Sequence, residues 1–352
     1  MLGHSSVVSA DIETIGAGRG FAGQVARVRL AYDRDTTTAP ATLVAKLPSE
    51  REPTRDLAGR FGLYEREVQF YLELAARAGI RAPHIYYATA KSGASVLLLE
   101  DVTNGREGDV LNGCTIDEAA SVVEALARMH AVWWDSPELV MLDWLPAPNS
   151  EAALDLGREI AAPAWRAFLK KAGQHMPARL IALGNRMNGD QSTLHRLSAA
   201  PRTLVHGDLT ASNVMFAPDG GIAAVLDWQT VVQGRGPIDV AHFFVSSLQP
   251  SDRKVAEAEL LPRYHQLLLD NGVEDYTYAE CWADYRLAVM NQVGQIVAIS
   301  YLLDISDQLD DEIEAAAGTR PLVALLELDV SDLIPAQSRL RRLLSRWSAP
   351  SR

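Results

Sequence analysis

The stretch from Leu204 to Phe216, reading L-V-H-G-D-L-T-A-S-N-V-M-F, constrains this chain more than any other, together with A-A-V-L-D-W-Q at 223–229. It sets His206, Asp208 and Asn213 in the spacing H-x-D-x-x-x-x-N, with a further acid at Asp227. The flanks at Thr203 to Val205, Val214 to Phe216 and Ala223 to Trp228 are apolar and β-branched, which predicts strands. Between the last two, Ala217-Pro-Asp-Gly-Gly221 predicts a turn, since proline fixes φ and glycine tolerates positive φ. Asp208 and Asn213 are thus expected on a loop leading into a hairpin, with Asp227 ending its second strand. Such a loop gathers one carboxylate able to hold a hydroxyl proton and two oxygen ligands for Mg²⁺, the set that phosphoryl transfer requires. Taken singly, Asp and Asn beside turns more often cap backbone groups; the combined spacing and strand context carry the functional reading.

This stretch resembles the catalytic and metal-binding loops of the protein-kinase-like fold. It is most similar to the aminoglycoside phosphotransferase, choline kinase and ecdysteroid-kinase-like branch, where H-G-D stands for the H-R-D of protein kinases. The resemblance implies an α+β, bilobal molecule: an antiparallel β-sheet N-lobe with one key helix over residues 1–101, which binds ATP, and a larger, mainly helical C-lobe over 102–352. It implies that Asp208 orients and deprotonates the acceptor hydroxyl, that Asn213 and Asp227 hold Mg²⁺, and that His206 braces the loop.

Upstream, Gly18, Gly20, Gly23 and Val25 satisfy G-x-G-x-x-G-x-V. That motif could open a dinucleotide site, but there a helix must follow. Here Val25 to Tyr32 alternates, with Arg27 and Arg29 on one face and Val28, Leu30 and Tyr32 on the other, which predicts a strand. Strand, glycine loop, strand is the kinase order, with backbone N–H groups over the ATP phosphates; a plain Gly-rich hairpin is the bland alternative. A short strand is expected at Ile12 to Ile15.

A third strand, T-L-V-A-K-L at 42–47, holds Lys46 amid apolar residues, where a lysine needs a matching charge or must snorkel from an edge. The resemblance makes Lys46 the ligand of the α- and β-phosphates. A helix is expected over Tyr64 to Ala78, stopped by Gly79, with Tyr64, Val68, Tyr71, Leu72 and Ala75 as its apolar stripe. Glu67 lies on the edge of that stripe. It is the partner implied for Lys46, through a Glu-x-x-Phe-Tyr sequence found in the related small-molecule kinases, with Glu65 as rival. Ile85 to Ala88 and Val96 to Glu100 complete five antiparallel strands, and Glu100-Asp-Val102 becomes the hinge whose backbone, at Glu100 and Val102, would bond adenine.

Beyond the hinge the chain turns helical. Thr115-Ile-Asp-Glu118 is a capping box opening a helix to about Trp134. His130 on it is assigned a structural place. Residues 150–197 form a helical insert that in the resembling family walls the substrate pocket. After Asp227 the chain reaches G-R-G-P-I-D-V-A-H at 234–242 with no room for a protein-kinase activation segment, and it reads D-W-Q rather than D-F-G. Both departures point away from protein substrates and phosphorylation-controlled switching, and Asp239 is given a scaffolding role; the resemblance implies a small hydroxylated acceptor. The region from Ser251 onward is expected to be mostly helical. Arg339, Arg341, Arg342 and Arg346 are read as a solvated helix face.

The composition of 352 residues, 48% hydrophobic and 22% charged, suits a globular protein large enough for two lobes. A net charge of −12 argues against general nucleic-acid binding. Cys114 and Cys281 are too few for a disulfide framework, and they predict buried free thiols in a reducing compartment, here the cytoplasm. No signal peptide is read. The most apolar window, Trp282 to Leu303, is broken by Asp284, Arg286, Asn291, Gln292 and Gln295, and predicts a buried helix rather than a membrane span. Two other functions remain open: a nucleotide-binding pseudoenzyme, whose mark would be loss of Lys46, Asp208, Asn213 or Asp227, and transfer of AMP from inverted ATP.

Overall fold

Five strands pair into one antiparallel sheet in the computed structural model, which describes residues 5–15, 23–34, 39–91, 94–303 and 311–334. They are β1 (Val7–Ile15), β2 (Gly23–Tyr32), β3 (Thr42–Pro48), β4 (Ile85–Lys91) and β5 (Ala94–Glu100), in the order β1-β2-β3-β5-β4. The first strand is longer than the expected Ile12 to Ile15. It is exposed along nearly its whole length and held by backbone pairing to β2, with Ile12 opposite Val28, so no core-facing alternation marks its start. Arg27 and Arg29 share a face as expected; Arg27 Nε lies 2.7 Å from Asp101 and Arg29 2.9 Å from Glu13. Gly18 and Gly20 lie outside the described residues, as do the four C-terminal arginines.

Between β3 and β4 run two helices, α1 (Glu52–Arg60), which the sequence pattern did not reveal, and α2 (Leu63–Gln69). The latter continues through one π turn (Phe70–Leu74) and a 3₁₀ turn (Ala75–Arg77), and Gly79 then takes φ +84°. The π turn corrects the predicted stripe. Tyr64, Val68 and Tyr71 are buried, but Leu72 is 59% exposed, while Phe70 and Leu74 are fully buried. A π turn adds a residue to the helical repeat, so the face rotates and a 3.6-residue extrapolation lands on the wrong side.

Two small sheets follow. One joins β6 (Arg106–Glu107), β8 (Val214–Phe216) and β9 (Ile222–Val225); the other pairs β7 (Thr203–Val205) with β10 (Val232–Gly234). The strand expected to reach Trp228 ends at Val225. Asp227 adopts φ +62°, which breaks the pleat, and Trp228 starts a 3₁₀ turn. The Ala217–Gly221 turn forms, with the Ala217 N–H donating to Gly221 O.

The remainder is helical: α3 (Ile116–Val132), α4 (Glu151–Ala172), α5 (Ala178–Met187), α6 (Ser192–Leu197), α7 (Pro237–Ser247), α8 (Pro250–Asp270), α9 (Tyr278–Leu303) and α10 (Asp311–Glu327). The Thr115–Glu118 capping box is formed in both directions. The insert over 150–197 supplies α4 to α6, and α9 packs against α4, α6, α7 and α10. Among the described residues no helix is long and apolar enough to cross a membrane. Both cysteines are free; Cys281 is buried, but Cys114 only partly so.

One contact joins the sheet-bound helix to the region below. The Phe70 ring stacks on Trp228 with centroids 4.0 Å apart and planes 9° from parallel, both side chains fully buried. Phe70→Ala should therefore cost about 3–5 kcal/mol of stability in urea denaturation, and Phe70→Leu clearly less; equal costs would mean that the ring stack itself, and not the volume it fills, carries the contribution.

Candidate active site

The loop after β7 is shaped by backbone constraints before any chemistry enters. Gly207 sits at φ +86°, and a Cβ there would lie 2.4 Å from Thr230 O, so glycine is required on both counts. Asp239, on the first turn of α7 and fully buried, accepts the His206 N–H at 2.8 Å and the Gly207 N–H at 2.9 Å. His130 Nε2 lies 3.2 Å from the same carboxylate, and His130 Nδ1 lies 2.8 Å from the Tyr264 hydroxyl. Burial opposes its ionisation, but His130 and these amides outweigh that and hold Asp239 below the usual carboxylate range.

His206 is committed to the loop itself. Its Nε2 lies 2.8 Å from Leu226 O, its carbonyl accepts the Thr230 hydroxyl, and its Nδ1 accepts the Asp208 N–H at 3.3 Å. Asn213 donates from Nδ2 to Asp208 O at 2.7 Å, and the Leu226 N–H bonds back to Asn213 O. These bonds bring Asp208, Asn213 and Asp227 onto neighbouring backbone. The Asp208 side chain is 45% exposed, and its Oδ1 lies 3.1 Å from His242 Nε2, on α7. His242 was not singled out from the sequence. The signal available was its position, i+3 from Asp239 on a helix, which puts both on one face.

Lys46 joins the N-terminal sheet to this region. Its Nζ lies 2.8 Å from Glu67 Oε1 and 2.6 Å from Asp227 Oδ1, with Glu67 only 2% exposed. The rival Glu65 does not reach it, and one Glu65 carboxylate oxygen is buried without a hydrogen-bond partner among the described residues. Burial would lower the Lys46 pKa, yet the charges of Asp227 and Glu67 raise it above its ordinary value. Glu67 is pushed up to about 7, by burial first, with Lys46 pulling the other way. Gln229 Nε2 donates to Asp227 Oδ2 at 3.2 Å.

Three residues expected near the nucleotide also have structural commitments of their own. Gly23 begins β2, where a Cβ would stand 2.7 Å from Leu47 O, so close approach of β3 alone demands a glycine. Glu100 is committed to the sheet: its N–H donates to His84 O at 2.8 Å, and its carboxylate pairs with Arg81. Its amide is therefore not free to bond a base. Val102 is buried with Ala223 and Ala224, and Met215 and Leu226 pack beside them. Two surface hollows of about 470 and 370 Å³, against Trp282 and against Arg128, touch none of Lys46, Asp208 or Asp227.

Oxygen donors suited to a hard cation are present. Asn213 Oδ1 takes no hydrogen bond among the described residues, since Nδ2 is the engaged atom, and Asp227 lies on the adjoining backbone. Lys46 faces two carboxylates, so when both are ionised the trio keeps a net negative charge. Among the described residues no cluster of three or more His, Cys, Asp or Glu could hold a metal alone. The set fits an ion that takes one or two protein oxygens and completes its shell with phosphates and water, as Mg²⁺ does.

Residues 17–134 match the family model described as the Ecdysteroid kinase-like family. Residues 190–327 match a model described as Uncharacterized oxidoreductase dhs-27. No curated protein sequence matches the chain. Among solved structures, a GDP complex of an aminoglycoside 2′-phosphotransferase-IIIa mutant is 14% identical, with a TM-score of 0.55 and 93% of each chain covered. The GDP and kanamycin complex of APH(2″)-IIia is 15% identical at a TM-score of 0.54, covering 93% of this chain and 95% of that one. Macrolide 2′-phosphotransferase type I is 15% identical at a TM-score of 0.52, covering 90% and 92%. The chain therefore has the protein-kinase-like fold, in the form carried by the phosphotransferases to which most of its backbone is similar.

Proposed function

We propose that this protein transfers the γ-phosphoryl group of ATP to a hydroxyl of a small molecule, with Mg²⁺. The observation that carries this reading is Lys46 drawn between Glu67 and Asp227, with Asp208 presented on the same loop system as Asn213. In this reading Asp208 takes the proton of the acceptor hydroxyl as that oxygen attacks the γ-phosphorus. Lys46, kept protonated by its two carboxylates, meets the α- and β-phosphates, and Glu67 holds it in place. Gly23, with Gly18 and Gly20, lets the glycine loop approach those phosphates, while the groups from Glu100 to Val102 line the adenine side. Asp227 and Asn213 hold the cation, which when bound offsets phosphate charge during transfer.

The described strands do not favour an oxidoreductase reading. A dinucleotide fold needs parallel strands joined by helices, whereas the paired strands within 190–327, β7 with β10 and β8 with β9, are antiparallel. The distance from Asp227 to α7, spanned by Trp228 to Gly236, leaves no activation segment and favours a small acceptor. The aminoglycoside 2′-phosphotransferase-IIIa mutant and APH(2″)-IIia neighbours were solved with GDP, so GTP is the competitor to test against ATP.

An ATP-consumption screen over hydroxylated metabolites and antibiotics tests the proposal. In it Asp208→Asn should reduce turnover by about 10²–10⁴-fold while ATP still binds; near-normal turnover would remove Asp208 from the chemistry. Lys46→Ala and Glu67→Ala should each impair ATP use, and the double variant should be little worse than either, because paired residues are not additive. Additive losses would show that Glu67 does not act through Lys46. Asp227→Asn tolerates the left-handed backbone, so it isolates the charge. It should weaken Mg²⁺·ATP binding far more than binding of metal-free ATP, measured by calorimetric titration; equal enhancement by Mg²⁺ in both proteins would put the metal elsewhere.

A further inference from the structure

Ten of the eleven residues of α7 are buried, and the exception is His242. The same helix meets the catalytic loop at three levels. Asp239 receives the His206 and Gly207 amides, His242 meets Asp208, and Ser247 Oγ accepts the Ala211 N–H at 2.8 Å. Two of these contacts hold backbone. The middle one holds the carboxylate on which the proposed chemistry rests, and it is made by the one side chain of the helix that opens toward that carboxylate, 13% exposed.

We propose that His242 is the positioning residue for Asp208: its Nε2 lies 3.1 Å from Oδ1, close enough for a small turn of the ring to aim the Nε2–H at that oxygen, so that Oδ2 alone is left to face the acceptor hydroxyl. A half-exposed aspartate otherwise samples several rotamers and presents either oxygen. A donor fixed on a buried helix removes that freedom before the acceptor arrives, and misplacement by about 1 Å can cost about 10²-fold in rate. In the transfer step the acceptor O–H proton passes to Asp208 Oδ2 as the new O–P bond forms. The bond from the γ-phosphorus to the leaving nucleoside diphosphate breaks, and His242 neither gains nor loses a proton. The inference rests on the phosphotransfer reading for its consequence, though not for the 3.1 Å contact itself.

Two measurements test it without a known acceptor. Hydrolysis of Mg²⁺·ATP, with water as acceptor, is compared in wild type, H242L, H242Q and D208N. H242L should lower kcat about 10- to 100-fold with KM for ATP and thermal midpoint unchanged, and H242Q, whose amide can still donate, should recover most of the loss. Wild-type kcat in H242L, no recovery in H242Q, or a change confined to KM would overturn the proposal. If D208N hydrolyses ATP as wild type does, the phosphotransfer reading fails and this consequence falls with it. Separately, ¹⁵N–¹H spectra of the imidazoles in the ligand-free protein should show His242 as the Nε2–H tautomer, shifted in Asp208→Ala. An Nδ1–H tautomer, or a resonance indifferent to Asp208→Ala, would overturn the hydrogen bond whatever the activity, and this reading survives even if H242L does not fold.

Discussion

A carboxylate with no exposure to water is costly unless every oxygen is matched, and Asp239 is matched from three directions. Two loop amides and the His130 ring converge on it, and His130 is braced in turn by Tyr264. The cost of burying this charge is thereby offset by fixing the backbone at His206 and Gly207, immediately before Asp208. Space is equally restricted around it: a Cβ on Gly236 would fall 2.4 Å from the Tyr264 hydroxyl and 3.0 Å from His130. Removing Asp239 would leave both loop amides and His130 Nε2 without this partner, so α3, α7 and the loop are coupled through it, with α8 joined by Tyr264.

A second, more accessible ion cluster does for the two lobes what Asp239 does for the loop. Among the described residues Lys46 is the one cation paired with both Glu67 and Asp227, and its two partners come from different parts of the chain. The stack of Phe70 on Trp228 joins the residue three positions after Glu67 to the one directly after Asp227. The apolar contact fixes distance and the ionic contact fixes direction. Because one lysine faces two acids, the arrangement carries an excess of negative charge when both are ionised.

α7 then acts as a template. Spacing of i, i+3 and i+8 from Asp239 brings a carboxylate, an imidazole and a hydroxyl to one helical face, each spent on a successive part of residues 206–211. Its opposite faces are apolar and buried, with Phe243 and Phe244 fully enclosed. A helix so thoroughly packed has little freedom to move, and that rigidity is what makes a single imidazole useful for aiming a carboxylate.

What the sequence determined by itself was whatever short spacing and periodicity encode. The H-x-D-x-x-x-x-N run, the lysine inside an apolar strand, the Thr115–Glu118 capping box and the alternation of β2 each pointed to the element that forms. Tertiary structure decided the rest, because those features depend on groups distant in sequence. The π turn after α2 moved Leu72 outward and Phe70 inward so that Phe70 could meet Trp228, a contact no local period foretells. Asp227 left its strand for a left-handed conformation. β7 found β10 rather than the adjoining hairpin. The Glu100 amide went to His84, and His242, on a stretch that read only as the end of a motif, came to lie against Asp208. A spacing can show that residues share a face, but only the packing of one element on another shows what that face meets.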